Sequence, residues 1–376
     1  MHIKLQFNLH FYLYFVRLLS ILIVFVSHCD QVLSTTAPIT SSLTSTAQTI
    51  YVSNETQLYK AVKKANKSHK ATDIVLADGH YNIQQRLALT GSHISLRSVS
   101  GDPSTVILSG QGMKKTNTTE VLIDVSGSHI SISAITLENS ANHLIQIRSE
   151  KNADHFSLSH CVLRDAYEQL LKVSSSPSSD SFADNGTIKG CLFEYTAGIG
   201  PQFYIGGIDA HRSRNWTISG NTFKNIASPS VSVAEHAVHF WKQSAQITVT
   251  HNTIQDCDRG IGFGLGESKK NQTDGGLITH NVIRNTNLSH PFADAGIILE
   301  GSPNVQIINN RIFIKGNYPN AIEYRFASTN NIQIKDNVTN KSIVSRDGGQ
   351  AALSGNLQAN LFEQVKHKLE YFIHRL

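Results

Sequence analysis

The apolar positions of this chain recur with a period of about thirty residues. Six segments share the pattern aliphatic, two variable residues, Asn or Cys, one variable residue, apolar, and two further segments share it except for the last apolar position. The steps between successive Asn or Cys positions are 30, 30, 31, 29, 29, 27 and 19 residues. Within each repeat, β-branched residues alternate with polar ones between Gly, Asn and Ser, which predicts short strands joined by turns. One such unit cannot bury its own apolar face, so the repeats are predicted to stack. The Asn and Cys positions are Cys161, Cys191, Asn221, Asn252, Asn281, Asn310, Asn337 and Asn356.

This pattern resembles the right-handed parallel β-helix, the fold of pectate and pectin lyases, alginate lyases and related carbohydrate-active proteins. The resemblance covers about residues 49–360 and implies an all-β solenoid with one coil per repeat. In such a stack the Asn side chains would lie about 4.8 Å apart along one line and hydrogen-bond as a ladder. Cys161 and Cys191 share that line. Because in-register side chains point the same way, we expect buried thiols there and no disulfide.

Helical patterns flank the repeats at both ends. Asn54 to Gln57 resembles a capping box, and apolar residues follow it at helical spacing. This predicts a short helix that closes the N-terminal end of the core. Residues 361–376 place apolar side chains on one helical face, which predicts a C-terminal amphipathic helix that serves as a plug or as an interaction element.

The N-terminal region predicts export. Residues 1–33 contain an apolar run that Arg17 interrupts, which is typical of a signal peptide and too short for a stable membrane span. An uncleaved N-terminal anchor is the alternative, and Cys29 adds a third because the residues before it resemble a lipoprotein cleavage box with His in place of a small residue. Residues 34–48 are rich in Ser and Thr and predict a linker. We therefore expect a secreted, periplasmic or cell-surface protein.

Composition narrows the class of partners. With 40% apolar residues over 376 positions, the chain is long and apolar enough to bury a large core, which excludes disorder. The net charge of +5 comes from 33 basic and 28 acidic residues, without the Lys/Arg block of a nucleic-acid-binding face. We expect no nucleic-acid partner and favour an acidic polysaccharide or other glycan. The oligomeric state is left open.

One strand of each repeat carries ionisable residues in register. Gly207 to His211 aligns with the segments that end at Trp241, Gly264, Glu300 and Arg325. Alternation along a strand turns Ile208, Ala210 and their equivalents inward. A groove for a chain ligand is predicted on the other side, where Trp241 would stack on sugar rings above a floor of glycines. The predicted outward side chains are Asp209, His211, His239, Trp241, Glu300, Glu323 and Arg325.

Asp209 and His239 are the first candidate catalytic pair. They fall on adjacent coils, about 4.8 Å apart at the backbone, where the carboxylate would fix the tautomer of a general base. His211 is the alternative base. The run Gly-Ile-Asp209-Ala-His211-Arg also resembles the Asp-Pro-His-Asp segment of mannuronan C5-epimerases, with Ala in place of Pro and Arg in place of the second Asp. That resemblance reaches only Asp209 and His211.

Positive charges near this face would neutralise a substrate carboxylate. The candidates are Arg259, Arg212 and Arg325. Glu300 lies beside Arg325 in the alignment, which predicts an ion pair between neighbouring strands.

Three acids, Glu235, Asp258 and Asp294, fall in one column just before the strand. They would repel one another unless paired. Ca²⁺ would relieve the repulsion, since hard cations take carboxylate ligands, and Arg259 alone would also do so. Both alternatives stay open, and no other cofactor is predicted. The order Glu-His-x-x-His that begins at Glu235 is not the His-Glu-x-x-His of zinc proteases, which excludes that class.

Three functions compete for this face. The leading one is a lyase or C5-epimerase that removes the proton next to the carboxylate of a uronic-acid-containing polysaccharide. A glycoside hydrolase would use Glu300 and Glu323, whose Cα atoms should lie about 8 Å apart. A noncatalytic glycan-binding or adhesin-like solenoid needs no catalytic geometry, because a fold alone does not fix a function.

Overall fold

Each repeat of the sequence forms one coil of short strands, and the coils stack so that their strands pair in parallel. The computed structural model describes residues 47–114, 121–268, 270–287, 290 and 293–359. These residues form three parallel sheets, and each complete coil passes from the first sheet to the second and then to the third. The predicted parallel β-helix is confirmed. The predicted signal peptide or anchor, nearly all of the predicted linker and the predicted C-terminal helix lie outside the described residues.

The strands of the three sheets are as follows. The first sheet contains Gln48–Val52, Thr72–Leu76, Ile94–Ser98, Ile130–Ser133, Ser157–Ser159, Ala183–Asp184, Thr187–Lys189, Ser213–Arg214, Thr217–Ser219, Ser244–Thr250, Thr273–Thr279, Val305–Ile308, Ile332–Lys335 and Ala351–Ser354. The second contains Gly79–Asn82, Val106–Ser109, Thr136–Ser140, Val162–Ala166, Leu192–Glu194, Thr222–Lys224, Thr253–Gln255, Val282–Asn285, Arg311–Ile314, Val338–Thr339 and Leu357–Gln358. The third contains Leu87–Leu89, Ile123–Val125, Ile145–Arg148, Leu171–Ser174, Ile208–His211, His236–Trp241, Arg259–Phe263, Ile297–Glu300, Asn320–Arg325 and Ser342–Arg346.

The predicted N-terminal helix spans Glu55–Ala65. Asn54 caps it, since its side chain accepts a hydrogen bond from the backbone N–H of Gln57 at 3.0 Å. The apolar face that the sequence predicted is buried against the first coils. A short 3₁₀ turn at Ser149–Lys151 is the other described helical element.

The asparagine ladder lies at the turn between the first and second sheets. From Asn221 to Asn356, each side-chain amide donates to the Oδ1 atom of the next asparagine at 2.9–3.0 Å. The same oxygen also accepts from a backbone N–H, so the buried amides pair repeatedly along the axis. Cys191 and Cys161 continue the line as free, buried thiols. The ladder and the unpaired state of these cysteines were both predicted.

Aromatic side chains fill the interior beneath the third sheet. Phe240 and Phe263 are fully buried, with ring centroids 6.3 Å apart in an edge-to-face contact. Ile208 and Ala210 also belong to the core, as the alternation predicted. Asp209 and His211, the odd positions of the same strand, therefore point away from the core.

Candidate active site on the third sheet

A column of polar residues runs along the outward side of the third sheet. Gln146, Lys172, Asp209 and His239 are in register on four successive coils, and Gly262 follows on the fifth. Of these four, Asp209 and His239 were predicted from the sequence to line an open groove, and the predicted exposure is wrong. Asp209 is 2% exposed and His239 1%, because the polar side chains pack against one another. The face is a buried polar cluster, not an open wall.

Lys172 and Asp209 form the centre of this cluster. The Lys172 ammonium makes a salt bridge with Asp209 Oδ2, and Trp241 Nε1 donates to Asp209 Oδ1 at 2.7 Å. Burial by itself raises the pKa of Asp209, but Lys172 and the nearby imidazoles outweigh it and hold that pKa at about 2. Asp209 is therefore an anion at neutral pH. Its role in the structure is to hold the ammonium of Lys172.

His211 is the imidazole that Lys172 contacts. Its Nε2 atom lies 3.2 Å from Lys172 Nζ, and its Nδ1 atom lies 3.3 Å from Ser175 Oγ. An ammonium can only donate, so Nε2 accepts, which leaves the hydrogen of the neutral ring on Nδ1. Burial, and then the charge of Lys172, lower the pKa of His211 to about 3. At neutral pH the ring is uncharged, and the lone pair of Nε2 faces a cation.

The position of His239 differs from the predicted one. Its Nε2 atom donates to the carbonyl of Gly264 at 2.9 Å, and its ring stacks on Trp241 with centroids 5.6 Å apart. Its Nδ1 atom lies 3.9 Å from Asp209 Oδ1, so the predicted neighbours are close but not hydrogen-bonded. The side chain of His239 is 1% exposed, against 8% for His211 and 9% for Lys172. Of the two predicted bases, His211 is therefore the more exposed and the one that contacts Lys172.

A basic cleft borders this cluster. It has a volume of about 290 Å³ and includes Ser175, the hydrogen-bond partner of His211. Arg212, Lys242 and Lys270 line it, and no acidic side chain does so among the described residues. The cleft therefore carries a positive potential next to Ser175, which contacts His211.

The sequence reasoning missed two residues at the polar cluster. Lys172 lies one coil before the first segment of the alignment, where Leu170 takes the place of the Gly or Ala that begins the other segments. Its position between Leu171 and Val173 nevertheless marks an outward residue. Tyr204 lies just before the strand that carries Asp209. Burial raises the pKa of its hydroxyl, on which the charges of Lys172 and Asp209 also act, so Tyr204 stays protonated at neutral pH.

The other predicted charged residues are engaged with partners. Arg259 pairs with Asp294 at 3.0 Å, and Arg325 pairs with Glu300 at 2.6 Å, which confirms the predicted ion pair between neighbouring strands. Arg212 lies 3.4 Å from the exposed Asp180. Arg259 and Arg325 are thus already neutralised, whereas Arg212 faces the cleft.

Both glutamates of the hydrolase hypothesis are also held by partners. Glu323 is 1% exposed and accepts hydrogen bonds from Tyr318, Asn320 and Arg346. Burial raises its pKa, but these three partners outweigh burial and lower it. Glu300 is bound by Arg325 and by the backbone N–H of Gly266. Carboxylates stabilised as anions are poor general acids.

The three carboxylates proposed as calcium ligands do not converge. Asp258 accepts two backbone hydrogen bonds through Oδ2, Asp294 pairs with Arg259, and Glu235 faces two histidines. Each acid has found a separate partner, so the repulsion that suggested a shared cation is absent. Among the described residues, one set of three side chains brings its ligand atoms within 4.8 Å, and it consists of Glu235, His236 and His239.

Comparison with known proteins supports the fold. Residues 206–365 match the family model described as the right handed beta helix region. A polygalacturonase from Erwinia carotovora ssp. carotovora is similar in structure, with a TM-score of 0.55 and 14% identity over 82% of this chain and 92% of that chain. An alginate lyase from Paenibacillus sp. str. FPU-7 gives a TM-score of 0.48 and 12% identity over 83% and 99% of the two chains. The search of curated proteins found no match.

Within the described part of the chain, no helix has the length and apolar character needed to cross a membrane. The described residues form three parallel sheets, one capping helix and one 3₁₀ turn, and the alignment with the polygalacturonase covers most of both chains. The protein is therefore a right-handed parallel β-helix, as its repeats predicted.

Proposed function

We propose that this protein acts on a uronic-acid-containing polysaccharide by removing the proton at C5 of a uronate, as a lyase or a C5-epimerase. The observation that carries this proposal is the contact between His211 and Lys172 at the edge of the basic cleft. It supplies a neutral base and a cation within 3.2 Å of each other. The polygalacturonase with the same fold is named for a polyuronate substrate, so this scaffold is compatible with such a polymer.

The chemistry requires both groups. A proton next to a carboxylate is removed at a useful rate only when the carboxylate charge is neutralised, since the electron pair of the C–H bond moves toward it. Lys172 would donate to the uronate carboxylate. In doing so it would release Nε2 of His211, whose lone pair then takes the C5 proton. Asp209 acts as a positioning residue, because it holds Lys172 in place.

The second half of the reaction needs a proton donor. In elimination the bond between C4 and the bridging oxygen breaks, a C4–C5 double bond forms, and the leaving oxygen takes a proton. In epimerisation a proton returns to C5 from the opposite face. We assign this step to Tyr204, which is 41% exposed and whose hydroxyl is protonated at neutral pH.

The test is to incubate the purified protein with alginates, pectins and glycosaminoglycans in heavy water. An eliminase produces the ultraviolet absorbance of an unsaturated uronate, and an epimerase incorporates deuterium at C5 without shortening the chain. His211→Gln should lower the rate by a factor of about 100 or more, as loss of a general base does. The matched control is His251→Gln, which alters a histidine at the turn between the first and second sheets.

Three outcomes would overturn the proposal. Parent-like turnover by His211→Gln would exclude His211 as the base. Shortened chains without unsaturated ends or deuterium at C5 would indicate hydrolysis. A polymer that is retained by the protein but not altered would indicate the noncatalytic glycan-binding function.

A further inference from the structure

Three potential metal ligands, Glu235, His236 and His239, lie close together at the polar cluster. Glu235 Oε2 lies 3.5 Å from His239 Nδ1 and 4.0 Å from His236 Nδ1. The two imidazole rings have centroids 4.5 Å apart. Each of the three residues has a ligand atom within 4.8 Å of the other two.

These separations fit a single metal ion. With bonds of about 2.1 Å to nitrogen and oxygen, two ligand atoms of a tetrahedral zinc site lie about 3.4 Å apart. The observed distances of 3.5 and 4.0 Å require the side chains to move by only a few tenths of an ångström. The ligand set of two histidines and one carboxylate is also one that zinc and non-haem iron sites use.

The unpaired atoms point to a ligand. Glu235 Oε2, His239 Nδ1 and both ring nitrogens of His236 are buried without a hydrogen-bond partner in the described structure. His236 is 3% exposed and His239 is 1% exposed. Buried polar atoms normally find partners, because an unpaired one loses its bonds to water. One such atom from each of the three residues lies within 4.8 Å of the other two, which indicates that a partner binds between them.

His239 also has the outer contact of a metal ligand. Its Nε2 atom donates to the carbonyl of Gly264 at 2.9 Å, so Nδ1 is the ring nitrogen that faces Glu235. Gly262 provides the space for His236, because a Cβ atom there would lie 2.5 Å from the His236 ring. Both imidazoles are therefore held in place by the backbone of neighbouring coils.

We propose that Glu235, His236 and His239 bind one divalent cation of the zinc type and leave a coordination position open. Imidazole nitrogen suits zinc, cobalt, iron and nickel, whereas calcium takes oxygen ligands, so this site differs in residues and in metal from the calcium site considered from the sequence. The proposal goes beyond the proposed function, since metal binding can be measured without any polysaccharide.

The experiment uses the full chain produced without a histidine tag, dialysed against a chelator and then titrated with Zn²⁺. Metal content after gel filtration should be one zinc per chain. Co²⁺ in the same site should give the visible absorption of low coordination number. Glu235→Gln and His236→Gln should each weaken zinc binding by at least about tenfold, since even loss of an outer contact costs that much.

The chain offers a matched control in another histidine beside a glutamate. His143 Nε2 lies 3.7 Å from Glu168 Oε2, and the His143 side chain is 8% exposed, but its Nδ1 atom bonds to the carbonyl of Gln169. His143→Gln should bind zinc like the parent. Glu235 is 23% exposed, so Glu235→Gln should fold even if His236→Gln does not, and thermal melting with and without zinc verifies this.

Zinc should raise the melting temperature of the parent and of His143→Gln, and should not raise that of Glu235→Gln. Stoichiometric zinc that persists in a folded Glu235→Gln variant would overturn the proposal, because it would assign the metal to other residues, such as the stacked rings of His93, His129 and His155. A parent that binds no zinc at micromolar concentration would overturn it as well.

Discussion

Two stacks of buried polar side chains run along this β-helix, and they differ in how their polar atoms find hydrogen-bond partners. The asparagine ladder repeats one residue at the turn between the first and second sheets, and each amide is bonded to the next. The third-sheet cluster has no single residue type that recurs on every coil. It consists of Lys172, Asp209, His211, His239 and Trp241. Its members differ from coil to coil, and one of its nitrogens, Nδ1 of His239, has no hydrogen-bond partner.

This difference indicates that the ladder contributes to stability and the third-sheet cluster to function. A ladder of identical amides satisfies its own hydrogen bonds, so burial costs little and the coils are held in register. A buried lysine, carboxylate and two imidazoles pay a desolvation cost that apolar residues would avoid. Such a cluster is typical of a site for chemistry, where perturbed pKa values concentrate.

The largest effect is expected from breaking the ion pair of the cluster. Lys172→Met should lower the free energy of unfolding by about 3–5 kcal/mol, because it leaves Asp209 buried and unpaired. The double variant Lys172→Met/Asp209→Leu should recover most of this loss, since a buried pair can be replaced by apolar residues at little cost. Urea unfolding of the three proteins measures both effects. A double variant no more stable than Lys172→Met would show that the pair is needed for folding.

The ladder should show a loss without such a rescue. Asn281→Ala leaves donors of Asn252 and the carbonyl of Val249 without their partner, which should cost about 3 kcal/mol. The control is Asn330→Ala, at an exposed position. Equal melting temperatures for the two variants would contradict the structural role assigned to the ladder.

Acid should destabilise the protein through its buried imidazoles and not through the ladder. Burial is the main reason that the pKa values of His143 and His211 fall to about 3, whereas an unfolded histidine has a pKa of about 6.5. Between these pKa values the unfolded state binds more protons than the folded state. The free energy of unfolding should therefore decrease as the pH is lowered, by up to about 1.4 kcal/mol per pH unit for each histidine. His143→Gln should reduce this slope in urea unfolding from about pH 6.5 to pH 4. An unchanged slope would contradict the burial of His143.

The smallest effect concerns the basic cleft. Lys242 lines it with Arg212 and Lys270, so Lys242→Ala should weaken binding of an anionic polysaccharide by about 0.5–1 kcal/mol. The effect should shrink as salt is added, because these charges are exposed to solvent screening. Affinity measured against ionic strength tests this, with the exposed Lys189→Ala on the first sheet as the control. A loss that is independent of salt would mean that the cleft recognises something other than charge.

The periodic parts of this molecule were predictable from its sequence, and the irregular parts were not. Spacing of one residue type located the ladder, since each asparagine contacts its own copy on the next coil. Alternation likewise placed Phe240 inside and Asp209 outside. Neither pattern reports how deeply an outward residue is covered, so the burial of Asp209 and His239 was missed. Lys172 was missed because its coil has Leu170 where the aligned segments have Gly or Ala, and His236 was missed because strict alternation assigned it no role.

We propose that the third-sheet cluster serves chemistry, whereas the ladder serves stability. The most direct test is to measure proton exchange at C5 of a uronate polymer in heavy water with the Lys172→Met/Asp209→Leu variant. We expect this variant to unfold at nearly the parent denaturant concentration. Its rate of C5 proton exchange should be lower than that of the parent by a factor of about 100 or more. Exchange at the parent rate by that folded variant would contradict it.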